Sequence, residues 1–225
     1  MNVVRYIFYV LAAVLLLLQT SCFDIVEDLT LTKNGSGRIE LTVNLSKSKT
    51  KVASLMKLDQ IDGLKIPNEK QVRDQVNELV QLLKKTSGIR NVQHELDFNQ
   101  FIGHISCDFD NIEALNVYTS ALSTHFNVRL TDYSNYTYQR DTGTLKRSYT
   151  HSKSAQKEFQ KLSVANRQSI SEAYYTSIYR IEGTVKKQTN PAGRIASNKK
   201  AVMVRVSLTE LLEGKVGLSN EIVWQ

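Results

Sequence analysis

Two periodicities take turns along this chain. Leu29 and Leu31, then Ile39, Leu41, Val43 and Leu45, alternate strictly with polar residues, the pattern of half-buried strands. Between them lies Lys33-Asn34-Gly35-Ser36-Gly37, whose Asn-Gly centre suits the positive-φ positions of a hairpin turn. Ser46 to Met56 reads as a short helix with Ser46 or Ser48 as cap. Pro67-Asn68-Glu69 opens a clearer helix in which Val72, Val76, Leu79, Val80 and Leu83 form one apolar stripe. Lys84 and Lys85 fall in its last turn, where cations favour the helix dipole, and Gly88 closes it.

The next hairpin can be registered from its side chains. A two-residue loop at Asn99-Gln100 sets Phe98 opposite Phe101, Leu96 opposite Gly103, His94 opposite Ile105 and Val92 opposite Cys107, all on one face. Glu95 and His104 then pair on the other. A helix over 111–126 follows, capped by Asp110 or Asn111, with Ile112, Leu115, Tyr118, Leu122 and Phe126 inward. Val128 to Tyr138 and Leu145 to Thr150 form a third hairpin about Asp141-Thr142-Gly143. A helix over 152–172 uses Ala155, Phe159, Leu162 and Ala165. Strands at Tyr174 to Val185 and Ala201 to Leu208 flank a polar connection, 186–200, and a one-turn helix and a strand at Asn220 to Trp224 end the chain. The order, hairpin then helix three times and a final hairpin, predicts an α+β fold with a largely antiparallel sheet and helices on one face. With no fixed-period repeat and no linker, residues 22–225 read as one domain.

Ahead of the first strand the pattern changes. Arg5 precedes an uninterrupted apolar run of 13 residues, Tyr6 to Leu18. As a helix this would rise roughly 20 Å against a hydrocarbon core of about 30 Å, so residues 1–21 read as a cleaved leader rather than a span. The stretch Leu18-Gln19-Thr20-Ser21-Cys22 resembles the lipobox of bacterial lipoproteins, with Gln19 where that pattern has Leu or Val. The resemblance implies cleavage before Cys22 and a diacylglycerol on its sulfur. A plain secretory signal and an uncleaved anchor are the alternatives. No spacer separates Cys22 from the first strand, so a lipid there would hold the domain close to the bilayer.

Charge is uneven. Of a net +7, residues 140–200 hold 13 Lys/Arg against 4 Asp/Glu. Lys186, Lys187, Arg194, Lys199 and Lys200 are therefore candidate contacts for an anionic ligand: headgroups, lipopolysaccharide or acidic wall polymers. Export excludes nucleic acid as the partner. Solvation alone also accounts for these cations. Seven tyrosines in the same half (133, 136, 138, 149, 174, 175 and 179) suit either a lipid or glycan groove or ordinary strands.

Sequence motifs with a mechanism behind them are missing: Gly-x-Ser-x-Gly, His-Glu-x-x-His, Cys-x-x-Cys, a phosphate loop or an EF-hand. Cys107 reads as core packing, His94 as a core histidine, His104 as an exposed partner of Glu95, and Asp108 and Asp110 as a cap or turn. No catalytic residue, metal or cofactor is expected.

The lipobox, the strand with Asn34-Gly35-Ser36-Gly37 and the closing Val206-Ser207-Leu208-Thr209-Glu210-Leu211-Leu212 together resemble exported lipoproteins of Bacteroidetes type and, more distantly, the LppM-like lipoprotein domain. That resemblance implies an α+β module with lipid or glycolipid binding. Acids scattered at Asp24, Glu27 and Asp28, rather than a run after Cys22, predict a periplasm-facing anchor. The expected function is a non-catalytic envelope lipoprotein binding a lipid, glycolipid or protein. A hydrolase of an envelope polymer, or a structural assembly subunit, is the alternative.

Overall fold

The computed structural model describes residues 23–125 and 133–225. The leader, Cys22, Phe126 and the expected strand start at Val128 lie outside the described residues.

A seven-stranded sheet forms the body, in the order β11-β12-β9-β1-β2-β6-β5. Its strands are β1 (Asp24–Leu31), β2 (Gly37–Asn44), β5 (Ile89–Asp97), β6 (Ile102–Phe109), β9 (Tyr174–Ile181), β11 (Gly193–Ile195) and β12 (Ala201–Ser207). Every pairing is antiparallel except β1 with β9, which runs parallel from Asp24 opposite Tyr174 to Leu31 opposite Ile181. The α+β class read from the pattern holds. The third hairpin, however, leaves this sheet: β7 (Tyr133–Gln139) and β8 (Thr144–Thr150) join β10 (Val185–Gln188) and β13 (Asn220–Trp224) in a second sheet, ordered β10-β13-β8-β7. A two-stranded ribbon, β3 (Gln60–Ile61) and β4 (Leu64–Lys65), stands apart.

One face of the large sheet is wet. Arg180 clasps Asp28 through Nε and Nη2 at 2.8–3.0 Å, Arg38 meets Asp108 at 3.2 Å, and His104 lies 3.5 Å from Glu40. The other face carries Ile25, Leu29 and Leu31 of β1, Ile39 of β2 and Tyr175, Tyr179 and Ile181 of β9, all buried. Two separate covers lie on it. The second sheet sits over the β9 and β12 half, bringing Tyr136 and Arg147 against β1 and β9. Two helices, α2 (Glu69–Lys84) and α3 (Ile112–His125), cover the β2, β6 and β5 half. Asn116 of α3 seals the seam: its side chain exchanges two hydrogen bonds with the backbone of Tyr136 on the edge strand β7, at 2.7 and 2.9 Å.

The local readings hold where they rest on side-chain periodicity. Asn68 and Gln71 form a capping box at the start of α2, and Val76, Leu79, Val80 and Leu83 are buried along it. Cys107 is buried and free, its thiol pushed up to about 12 by burial first and then by Asp108. Four expectations are corrected. The β5–β6 register matches at Leu96 with Gly103, Glu95 with His104 and His94 with Ile105, but it shifts between Arg90 and Gln93. That bulge, with Asn91 at φ 51°, takes Val92 out of simple opposition to Cys107. His94, on the edge strand β5, is exposed rather than core. The helix over 152–172 is two, α4 (Lys153–Lys161) and α5 (Val164–Gln168), because Leu162 takes an extended conformation and Ser163 caps the second by accepting from Asn166 N. The polar connection 186–200 contributes β10 and β11, pinned by Asn190, whose buried amide donates to Gly217 O and Ser219 O. Before α2, a turn at Ser46–Ser48 runs into α1 (Lys49–Leu55); α6 (Leu208–Leu212) precedes β13.

Gly37 is where the first two strands admit no side chain. A Cβ there would lie 1.9 Å from Thr30 O and 2.7 Å from the Phe109 ring. A backbone oxygen inside a ladder cannot retreat, so Gly37→Ala is expected to cost about 3 kcal/mol, read as a lower urea midpoint with an unchanged slope.

Candidate functional site

Glu27 interrupts the apolar row Ile25, Leu29, Leu31 on the central strand, and it is 7% exposed. Facing it from β8 is Arg147, at 2% the largest fully buried side chain. Arg147 Nη1 donates to Glu27 Oε1 at 2.7 Å and Nη2 approaches Oε2 at 3.4 Å. Around the pair, Tyr136 OH donates to Glu27 Oε1 at 2.9 Å and Tyr175 OH to Oε2 at 3.0 Å, while Ser177 and Tyr179 accept from Arg147 at 2.8 and 3.1 Å. Burial opposes the charge on Arg147, but the adjacent carboxylate outweighs it and holds the guanidinium protonated. Burial likewise keeps Tyr136 and Tyr175 as neutral phenols, able to donate. The carboxylate thus accepts from four donor contacts, so it is not a free general base, and the pair reads as a polar keystone rather than a catalytic dyad.

Beyond the keystone, toward the end of the sheet where the chain enters at Phe23, the two covers leave a gap. It is a cavity of about 550 Å³, within the roughly 300–1,000 Å³ of small-molecule sites. Its floor is the inner face of the large sheet: Ile25, Leu41, Val43, Leu45, Leu96, Gly103 and Ile105. Val72 and Val76 of α2 and Thr119, Leu122 and Ser123 of α3 form the walls. Val52 and Met56, at and just beyond α1, with Ile66 and Pro67, cross it, and Phe98 and Phe101 stand at the hairpin tip. Glu27, Arg147 and Tyr175 close the inner end. Leu41, Val43, Leu45, Val52, Met56, Val72 and Leu122 are only half-buried, unlike the fully covered valines of β12. This sheet half is apolar without being filled. No residue of α1 is buried, so this helix roofs the space without being packed into the core.

The cations singled out from sequence do not line the cavity. Lys186, Lys187, Arg194, Lys199 and Lys200 are all exposed on or beside β10, β11 and the turn before β12. Lys200 adjoins Ile181, at the opposite end of the sheet from Phe23. The tyrosines divide: Tyr136, Tyr175 and Tyr179 surround the keystone, Tyr138 stacks on Trp224 at 5.3 Å, and Tyr174 lies under Arg205. His104 contacts Glu40 and Thr42 rather than its cross-strand partner Glu95. Both ring nitrogens of His151 are buried without a hydrogen-bond partner, against Gly214. Among the described residues no group of three or more His, Cys, Asp and Glu converges as metal ligands, and no helix is long and apolar enough to cross a membrane. The sequence reading missed both keystone residues. The available signal was the alternation of Leu29 and Leu31, which carried back two steps turns Glu27 inward, and that of Leu145, which does the same for Arg147.

Removing either keystone partner strands a buried charge. Glu27→Gln or Arg147→Met alone is expected to cost about 3–5 kcal/mol, and the double variant less than the sum of the two. Urea unfolding of all four proteins in a double-mutant cycle measures this, and additive losses would contradict the pairing.

No family model matches the chain, and no curated protein does. Among solved structures it is similar to the folded domain of LppM from Mycobacterium tuberculosis, determined by NMR, with a TM-score of 0.46 and 10% identity, covering 90% of this chain and 89% of that one.

Proposed function

We propose that the protein is an envelope lipoprotein whose domain takes up the apolar chain of a lipid in the cavity between α1, α2, α3 and the large sheet. The observation that carries this is the half-empty inner face: a row of aliphatic side chains with a cavity of about 550 Å³ above it. Each methylene moved from water into such a space contributes about 0.8 kcal/mol, so one acyl chain supplies useful affinity. The ligand enters tail first. The inner end offers no unmet charge, because Arg147 is already met by Glu27, Ser177 and Tyr179, and an incoming carboxylate would compete with a bound one. The polar end of the ligand therefore stays at the mouth.

Gly103 gives a direct test. A Cβ at this cavity-lining position meets only Leu96, at 3.4 Å, so Gly103→Leu fills the space without touching the keystone. Full-length protein purified from its host is expected to carry an acyl lipid, detected by mass spectrometry of the extract. Gly103→Leu is expected to lose it with unchanged or raised Tm, and Lys186→Glu with Lys187→Glu to keep it. Equal lipid in wild type and Gly103→Leu would rule the cavity out. The anchor is tested separately: metabolic labelling with an alkyne fatty acid is expected to mark the wild type and not Cys22→Ala, and label persisting in the variant would move the attachment elsewhere.

A further inference from the structure

The mouth of the cavity is crossed by residues 46–66, whose apolar and cationic side chains have different surroundings. Val52, Met56 and Ile66 line the cavity, while Lys47, Lys49, Lys51, Lys57 and Lys65 are exposed on the same segment. It contains five lysines and only two acids, Asp59 and Asp62. Asp62 is already engaged, accepting from Ser163 N at 2.7 Å and Asn166 Nδ2 at 2.8 Å. Lys47 lies 3.7 Å from Asp24, and Lys51 donates to Ser169. Lys49, Lys57 and Lys65 have no ion-pair partner among the described residues. Leu58, next to Lys57, is one of the large apolar side chains left open, 49% exposed.

Position adds to charge. The Lys47–Asp24 contact sets this segment beside the point where the chain enters the fold, two residues after Cys22 in sequence. A lipid on Cys22, as read above, would bring this segment to the bilayer that holds it.

We propose that residues 46–66 are the membrane-docking surface of the protein, with Lys49, Lys57 and Lys65 resting on anionic headgroups, Leu58 at the interface, and the cavity mouth turned to the bilayer. Docking stands on the charge and position of this segment. That it serves lipid entry rests on the cavity reading above. Clustered lysines gain from a negative lipid surface over about a Debye length, about 8 Å at physiological salt, whereas they gain nothing from a neutral one. Helix α1, with no buried residue, is also suited to yield when the segment is held elsewhere.

Hydrogen exchange of the full chain on vesicles tests this without relying on the affinity of any anchor. On phosphatidylglycerol/phosphatidylcholine vesicles, amides of residues 46–66 are expected to exchange at least about tenfold more slowly than on phosphatidylcholine alone. Lys49→Glu/Lys57→Glu/Lys65→Glu, all exposed positions, is expected to remove that difference while leaving exchange in β1 and β9 unchanged. Gly103→Leu is expected to retain it, so failure of the cavity reading leaves docking standing and the two failures are distinguishable. Equal exchange on both vesicles, or a difference surviving in the triple variant, would overturn the proposal. So would full protection of 46–66 before vesicles are added, since the surface would then be covered within the protein itself.

Discussion

The ion pair between Glu27 and Arg147 is the point on which the two sheets meet. A carboxylate on the central strand of one sheet and a guanidinium on an inner strand of the other are both removed from water. Neither is tolerable without its partner and the surrounding hydroxyls of Tyr136, Tyr175, Ser177 and Tyr179. Aliphatic side chains of similar volume could fill the same space with as much stability. What they could not do is fix how the second sheet lies over the first, since apolar contacts tolerate sliding whereas six polar side chains in one network are satisfied in one arrangement.

That fixed position decides the rest of the inner face. The second sheet covers β9 and β12 and stops at Glu27; α2 and α3 cover the remaining strands, and at the entry end the segment through α1 crosses the space between. The cavity is what two covers of different kind leave between them. Its chemistry is graded as a result, from a neutralised polar inner end to an aliphatic middle, crossed by a segment that carries five exposed lysines. A molecule with one apolar and one anionic end matches that gradient in a single orientation.

Much of this was legible in the sequence, and what was not has physical reasons. The stripe on α2 and the pairing of Leu96 with Gly103 follow from local period and turn chemistry, which the chain states residue by residue. The parallel pairing of β1 with β9 leaves no local mark, and neither does the departure of β7 and β8 to another sheet. The bulge at Asn91 leaves only a faint mark: asparagine accepts a positive φ, but one asparagine within a strand pattern does not by itself specify a bulge. Leu41, Val43 and Leu45 read as the covered row of a half-buried strand, because an aliphatic residue facing a void has the same pattern as one facing a neighbour. The cations were sought where the net positive charge is largest, in 140–200, yet the lysines beside the cavity belong to 46–66, a short segment where Asp59 and Asp62 offset part of their charge. Cys22 and the leader, the most specific motif in the sequence, lie outside the described residues.

The parallel pairing also bears on how the chain reaches this state. Glu27 and Tyr175, hydrogen-bonded between β1 and β9, are 148 residues apart in sequence. The central strand can form its hairpin with β2 as soon as the first forty-odd residues are available, but its other edge stays open until nearly the whole chain has been made. Loop closure over such a span is slow relative to hairpin formation. During that interval β1 presents an unpaired apolar edge, with an uncompensated Glu27 in the middle of it. A charge facing inward on an exposed strand edge is a recognised deterrent to pairing with the wrong strand. The residue that later locks the two sheets together would thus first act as a guard on the edge of an unfinished one.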